Sequence, residues 1–90
     1  MNMQDARKLQ PGAIVREAYR PDEPGVTAPR GLVLGKEYVE QDHVARCLSQ
    51  RKDRRFDVYV HWFDGPRRWS RDKNNPEKLQ NWEIMVVEHV

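Results

Sequence analysis

Apolar residues recur at every second position in the best-patterned part of this chain. The clearest run is residues 56–63, where Phe56, Val58, Val60 and Trp62 alternate with Asp57, Tyr59, His61 and Phe63. A period of two is that of a pleated strand, and β-branched and aromatic residues suit a half-buried pleated surface. Asp64-Gly65-Pro66 stops the run with turn chemistry. The pattern predicts a central strand whose inward side is Phe56, Val58, Val60 and Trp62.

The other elements follow from the same reading. Met3, Ala6 and Leu9 have roughly helical spacing, so residues 1–10 are a tail or a short helix, too short to stand alone. Pro11-Gly12 is a turn signal, and residues 13–19 follow as a first strand with Ala13, Val15 and Tyr19 on one face. Three prolines, a glycine and an Asp-Glu pair make residues 20–29 a loop. Gly31-Leu32-Val33-Leu34-Gly35 opens a second strand that continues to Tyr38.

Residues 39–50 admit two readings: a short helix capped by Asp42 with Val44, Cys47 and Leu48 inward, or the extended arm of a hairpin into Phe56. The extended reading is preferred because Gln50-Arg51-Lys52-Asp53 has the character of a polar hairpin tip. Beyond Pro66, residues 67–70 are expected as a fourth strand centred on Trp69, Pro76-Glu77-Lys78-Leu79 as one 3₁₀ turn, and residues 82–88 as the last strand. The expected core adds Val15, Val33, Leu79, Ile84 and Val86 to the central strand.

Ninety residues with 38% hydrophobic and 33% charged side chains make a single small domain, too apolar for wholesale disorder and too polar for a thick core. The formal charge of +2 hides a local excess, since residues 51–73 carry eight basic and four acidic side chains. Cys47 is the one cysteine, so no disulfide forms within the chain, which fits a reducing compartment or a particle assembled inside a cell. No run approaches the ~20 apolar residues of a membrane span, and no signal-peptide pattern follows Met1.

Five short strands, a long Pro-rich loop after the first and a 3₁₀ turn before the last resemble the Src-homology-3-like barrel group, which includes Tudor-like, chromo-barrel and KOW-type domains. The residues carrying this are Pro11-Gly12-Ala13-Ile14-Val15, Gly31-Leu32-Val33-Leu34, Val58-Tyr59-Val60-His61-Trp62 and Pro76-Glu77-Lys78-Leu79. The resemblance implies an all-β, five-stranded small barrel over residues 11–90 with a short N-terminal extension. The Val-x-Val-x-Trp centre and the ending are also similar to those of small bacteriophage proteins. That likeness implies a non-enzymatic interaction module, virion-associated or structural, that docks to other protein subunits or to copies of itself. The expected location is the host cytoplasm or the virion, with no membrane partner.

The residues were also searched for chemistry. No phosphate-cradling glycine loop, His-Glu-x-x-His, Gly-x-Ser-x-Gly or Cys-x-x-Cys occurs, so neither catalysis nor a cofactor is expected. His43, Cys47, His61 and His89 are a poor match to structural zinc, and no metal is expected. Tyr38, Tyr59, Phe63 and Trp69 are the candidate walls of a Tudor-type aromatic cage, though rings in a domain this small are more often core. The strongest candidate surface for nucleic acid or a protein partner is Arg51, Lys52, Arg54, Arg55, Arg67, Arg68, Trp69 and Arg71. Cations beside exposed rings suit a nucleic-acid backbone and its bases, whereas the interleaved Asp53, Asp57, Asp64 and Asp72 weaken that field.

Overall fold

The central strand forms as the alternation predicts, as the inner half of a longer one. In the computed structural model, which describes residues 1–19, 28–44, 50–67 and 74–90, β3 runs Gln50–Trp62 and pairs antiparallel with β2, Arg30–Val44. Their register runs from Gly31↔Trp62 out to Val44↔Gln50. Residues 39–44 and 50 are therefore extended, and the hairpin connection, Cys47 with it, lies outside the described residues. The polar tip expected at residues 50–53 is corrected: Gln50, Arg51, Lys52 and Asp53 each face a register partner on β2, so their backbone belongs to the ladder.

The remaining elements are the helix α1, Met3–Lys8, and three short strands, β1, Ile14–Glu17, β4, Glu77–Gln80, and β5, Ile84–Glu88, with a 3₁₀ turn at Asn81–Glu83. The strand order is β4-β3-β2-β1-β5 in one antiparallel sheet. The protein is thus all-β with one short helix. Two expectations move: Glu77–Gln80 is a strand rather than a 3₁₀ turn, and the 3₁₀ turn falls at Asn81–Glu83 instead. The alternation explains the first, because Leu79 and Glu77 lie opposite Val58 and Val60 on the core side of β3. The second is fixed by the Gln80 backbone amide, which donates to the Glu83 carboxylate at 2.8 Å. Arg67 is not in a strand, and residues 68–70 of the expected fourth strand lie outside the described residues. The first strand is shorter than expected: Glu17 takes the inward position after Val15, and Tyr19 is 80% exposed.

The core is Val15, Val33, Phe56, Val58, Val60, Trp62, Leu79 and Ile84, joined by Ala6, Leu9 and Ala13, with Val86 packed against it half-buried. A β-bulge between Val33 and Gly35 inserts Leu34 into β2 without a partner on β3. It resets the alternation, so that both Val33 and Lys36 face the core side. Lys36 Nζ then donates to the Ala6 carbonyl at 2.8 Å and to that of Arg7, satisfying the C-terminal carbonyls of α1. Asn2 Oδ1 accepts from the Asp5 amide at the other end of the helix, 2.8 Å away. Gly31 allows close approach of β2 to β3: a Cβ there would lie 2.3 Å from Val60 Cγ1 and 2.9 Å from Trp62 Cε3.

The expected barrel closure is not seen, because β4 and β5 remain the two edges of an open sheet. The Met1 ammonium donates to the carbonyls of Asn81 (2.8 Å), in the 3₁₀ turn that joins β4 to β5, and of Ile84 (2.6 Å), the first residue of β5. Its burial pulls the ammonium pKa below the usual value. Asn81 Nδ2 donates back to the Met1 carbonyl at 3.0 Å, and Asn81 Oδ1 accepts the Phe56 amide at 3.0 Å.

Candidate functional site: a two-stranded arm

β2 and β3 outrun their neighbours. On one side β1 covers Arg30 to Leu32, and Val33 exchanges two further backbone hydrogen bonds with Gly12 and Ala13. On the other side β4 covers residues 57–60 of β3, and two asparagines extend it. Asn75 Oδ1 accepts the Trp62 amide at 2.9 Å while its Nδ2 donates to the Trp62 carbonyl at 3.1 Å, imitating a strand residue, and Asn81 serves Phe56. Past these, among the described residues, no third strand pairs with the hairpin. From Tyr38↔Phe56 to Val44↔Gln50 it is a two-stranded ribbon of six residue steps, about 20 Å long at strand rise. It gives the molecule its elongated 49 × 26 × 24 Å outline.

Among the described side chains, the last apolar contact along the ribbon is at its first register pair. Tyr38 and Phe56 meet edge to face with centroids 5.4 Å apart, and Lys36 Nζ lies 5.1 Å from the Phe56 ring. Beyond them the register pairs are Val39↔Arg55, Glu40↔Arg54, Gln41↔Asp53, Asp42↔Lys52, His43↔Arg51 and Val44↔Gln50, none of them apolar on both sides. The ribbon's two strands differ in sign. Residues 39–44 carry Glu40 and Asp42 and no Lys or Arg, whereas residues 50–55 carry Arg51, Lys52, Arg54 and Arg55 against one acid, Asp53. The Arg54–Glu40 pair, at 3.7 Å with side chains 55% and 37% exposed, is worth little stability. Arg55 Nε donates to Asp57 Oδ1 at 3.0 Å, which holds it back along its own strand.

Among the described residues, the basic positions singled out in the sequence fall at the two ends of β3. Arg51, Lys52, Arg54 and Arg55 lie on the ribbon, while Arg67 follows Trp62 at the opposite end of β3. From Arg55 to Trp62 is seven residues, about 24 Å of strand. Arg67 is enclosed, with its side chain 14% exposed. Its Nη1 donates to Glu17 at 2.7 Å, its Nε to Glu77 at 2.8 Å and its Nη2 to the other Glu77 oxygen, and the guanidinium lies 5.4 Å from the Trp62 ring centroid. Trp62 Nε1 donates to the same Glu77 oxygen that takes Arg67 Nε, at 3.1 Å. The Glu77 hydrogen bonds hold the Arg67 pKa above even its usual value, against the opposing pull of burial, with Glu17 adding to the rise. This cluster ties β1 to β4 across the open side of the sheet. Arg68, Trp69 and Arg71 lie outside the described residues.

The aromatic cage is not assembled from the described rings. Tyr38 shares the core face with Phe56, whereas Tyr59 is on the opposite face of β3, 3.3 Å from Glu37 through its hydroxyl, and Phe63 is 51% exposed beyond the strand end. Among the described residues no three His, Cys, Asp or Glu side chains converge. His61 is ten residues along β3 from Arg51, the register partner of His43, about 34 Å away at strand rise.

Sequence reasoning missed Glu17, Glu77, Asn75 and Asn81. For Glu17 a signal was present: it falls two residues after Val15, on the inward phase of β1. For Glu77 it was two residues before Leu79. The asparagines act through geometry that arises only when β4 docks on β3. No helix among the described residues is long and apolar enough to cross a membrane. Comparison with protein-family models, curated proteins and solved structures finds no match to this chain.

Proposed function

We propose that the protein is a non-enzymatic interaction module that docks to protein subunits through its two-stranded arm. The observation that carries this is a ribbon about 20 Å long with no apolar pair beyond Tyr38 and Phe56. An isolated two-stranded hairpin is marginally stable in water, and extended strand edges serve as templates for pairing with another chain. A ribbon with no third strand beside it among the described residues gains by ordering against a partner. Arginine suits that role, since it is enriched at protein interfaces. The strand order, with a 3₁₀ turn ahead of the last strand, supports a Src-homology-3-like lineage in which an ion cluster and the N-terminal segment span the gap a barrel would close. The likeness to small bacteriophage proteins directs the search for partners to virion subunits.

A second reading has one observation in its favour. B-DNA's major groove admits a two-stranded β-ribbon, and four cations fall within five residues of β3. The acids on β2 oppose it. Fluorescence anisotropy with a labelled DNA duplex, titrated with salt, separates the two. The protein-docking reading expects no binding at moderate ionic strength. Tight binding that weakens steeply with salt, and is lost when Arg51, Lys52, Arg54 and Arg55 are replaced by Gln, overturns it in favour of nucleic acid.

A further inference from the structure

We infer that the arm's partner is a second copy of this chain, joined head to tail, with the outer edge of β3 in one copy pairing with the outer edge of β2 in the next. This rests on the protein-docking reading above.

The backbone directions come first. The Phe56 amide donates to Asn81, so it points away from β2, and its register partner Tyr38 points its amide away from β3. Amides alternate along a strand and opposed residues of an antiparallel pair share a direction. The amides of Lys52 and Arg54 on β3, and of Asp42 and Val44 on β2, therefore point to the ribbon's outer edges. Both edges present a ladder pattern that an added strand can meet.

Charge then selects among the pairings. Two copies joined β2 to β2 would set Glu37, Glu40 and Asp42 against the same acids, and copies joined β3 to β3 would set Arg51, Lys52, Arg54 and Arg55 against the same bases. Like charges opposite one another destabilise a ladder, whereas opposite charges support it. Only β3 on β2 brings the basic strand to the acidic one. Strand polarity agrees: β2 and β3 are antiparallel within a copy, so a neighbour displaced sideways presents its β3 antiparallel to the first copy's β2. Such an interface uses two different edges and therefore propagates, closing as a ring or continuing as a filament rather than stopping at a dimer.

The test is the mass in solution by light scattering, with two edge variants. Asp42→Pro removes an outward amide from the β2 edge, and Lys52→Pro removes one from the β3 edge, changes that edge positions tolerate. The wild type is expected to be larger than a dimer and to dissociate as salt is added. Each variant alone is expected to be a monomer, and an equal mixture to form a one-to-one dimer through the two intact edges. A wild type that is monomeric or stops at a dimer overturns the inference, as does either variant keeping the wild-type mass, which would mean one edge pairs with itself. Circular dichroism confirms that both variants are folded, and the wild-type salt dependence stands without them. A monomer indifferent to DNA would sink head-to-tail pairing alone; salt-sensitive DNA binding would sink the docking reading itself.

Discussion

Replacing Arg67 by Met should unfold this protein far more readily, and the structure gives the size of the effect. Methionine keeps most of the hydrophobic stem but leaves Glu17 and Glu77, with side chains 11% and 13% exposed, facing a site that has lost its cation. Removing one partner of a buried ion pair costs about 3–5 kcal/mol, because the remaining charge stays desolvated and unpaired. Residual exposure of all three groups puts the expected loss near the lower end, about 3 kcal/mol. With a urea m-value of roughly 1–1.5 kcal/mol/M for a domain of this size, the midpoint should fall by about 2–3 M.

In the variant Glu17 and Glu77 are left enclosed without the guanidinium that both accept from, so removing their charge by substitution tests the same reasoning. Adding Glu17→Gln and Glu77→Gln should recover most of the loss at neutral pH. A neutral-pH midpoint for Arg67→Met within about 0.5 kcal/mol of wild type would refute the enclosure of Arg67 and return it to the binding surface.

Other expectations are simpler to check. Gly31→Ala should cost about 1–3 kcal/mol by urea melt, because Val60 is β-branched and fully buried and the new methyl meets its Cγ1 at 2.3 Å; an unchanged midpoint would mean β2 and β3 are not that close. Asn81→Ala strips the acceptor from the Phe56 amide and the donor from the Met1 carbonyl, so a loss of about 1–3 kcal/mol is expected, with faster hydrogen exchange at the Phe56 amide. Arg54→Ala should leave the thermal midpoint nearly unchanged, within about 0.5 kcal/mol, since its ion pair is exposed; a larger drop would show that the ribbon is held by its charge pairs.

Alternation at residues 56–62 was enough to place Phe56, Val58, Val60 and Trp62 in the core, because the period of a strand assigns a face to every residue without reference to the rest of the chain. Val15, Val33 and Ile84 were legible for the same reason, whereas Leu79 was expected in the core from a 3₁₀ turn and reaches it from a strand. The length of the hairpin was not. Residues 50–53 are polar, and polarity describes a turn and a solvent-exposed ribbon equally well; only the register with residues 41–44 separates them. Tyr19 was misplaced because nothing local reports where β1 leaves the sheet. Arg67 reads as surface charge until Glu17 from β1 and Glu77 from β4 are brought to it, 50 and 10 residues away along the chain. Sequence by itself thus determined the strands' faces and the absence of familiar catalytic motifs, which depend on local period and spacing. Which charges are enclosed, where the sheet stays open and how far its arm extends were decided by tertiary pairing, because each depends on groups that meet only after distant segments dock.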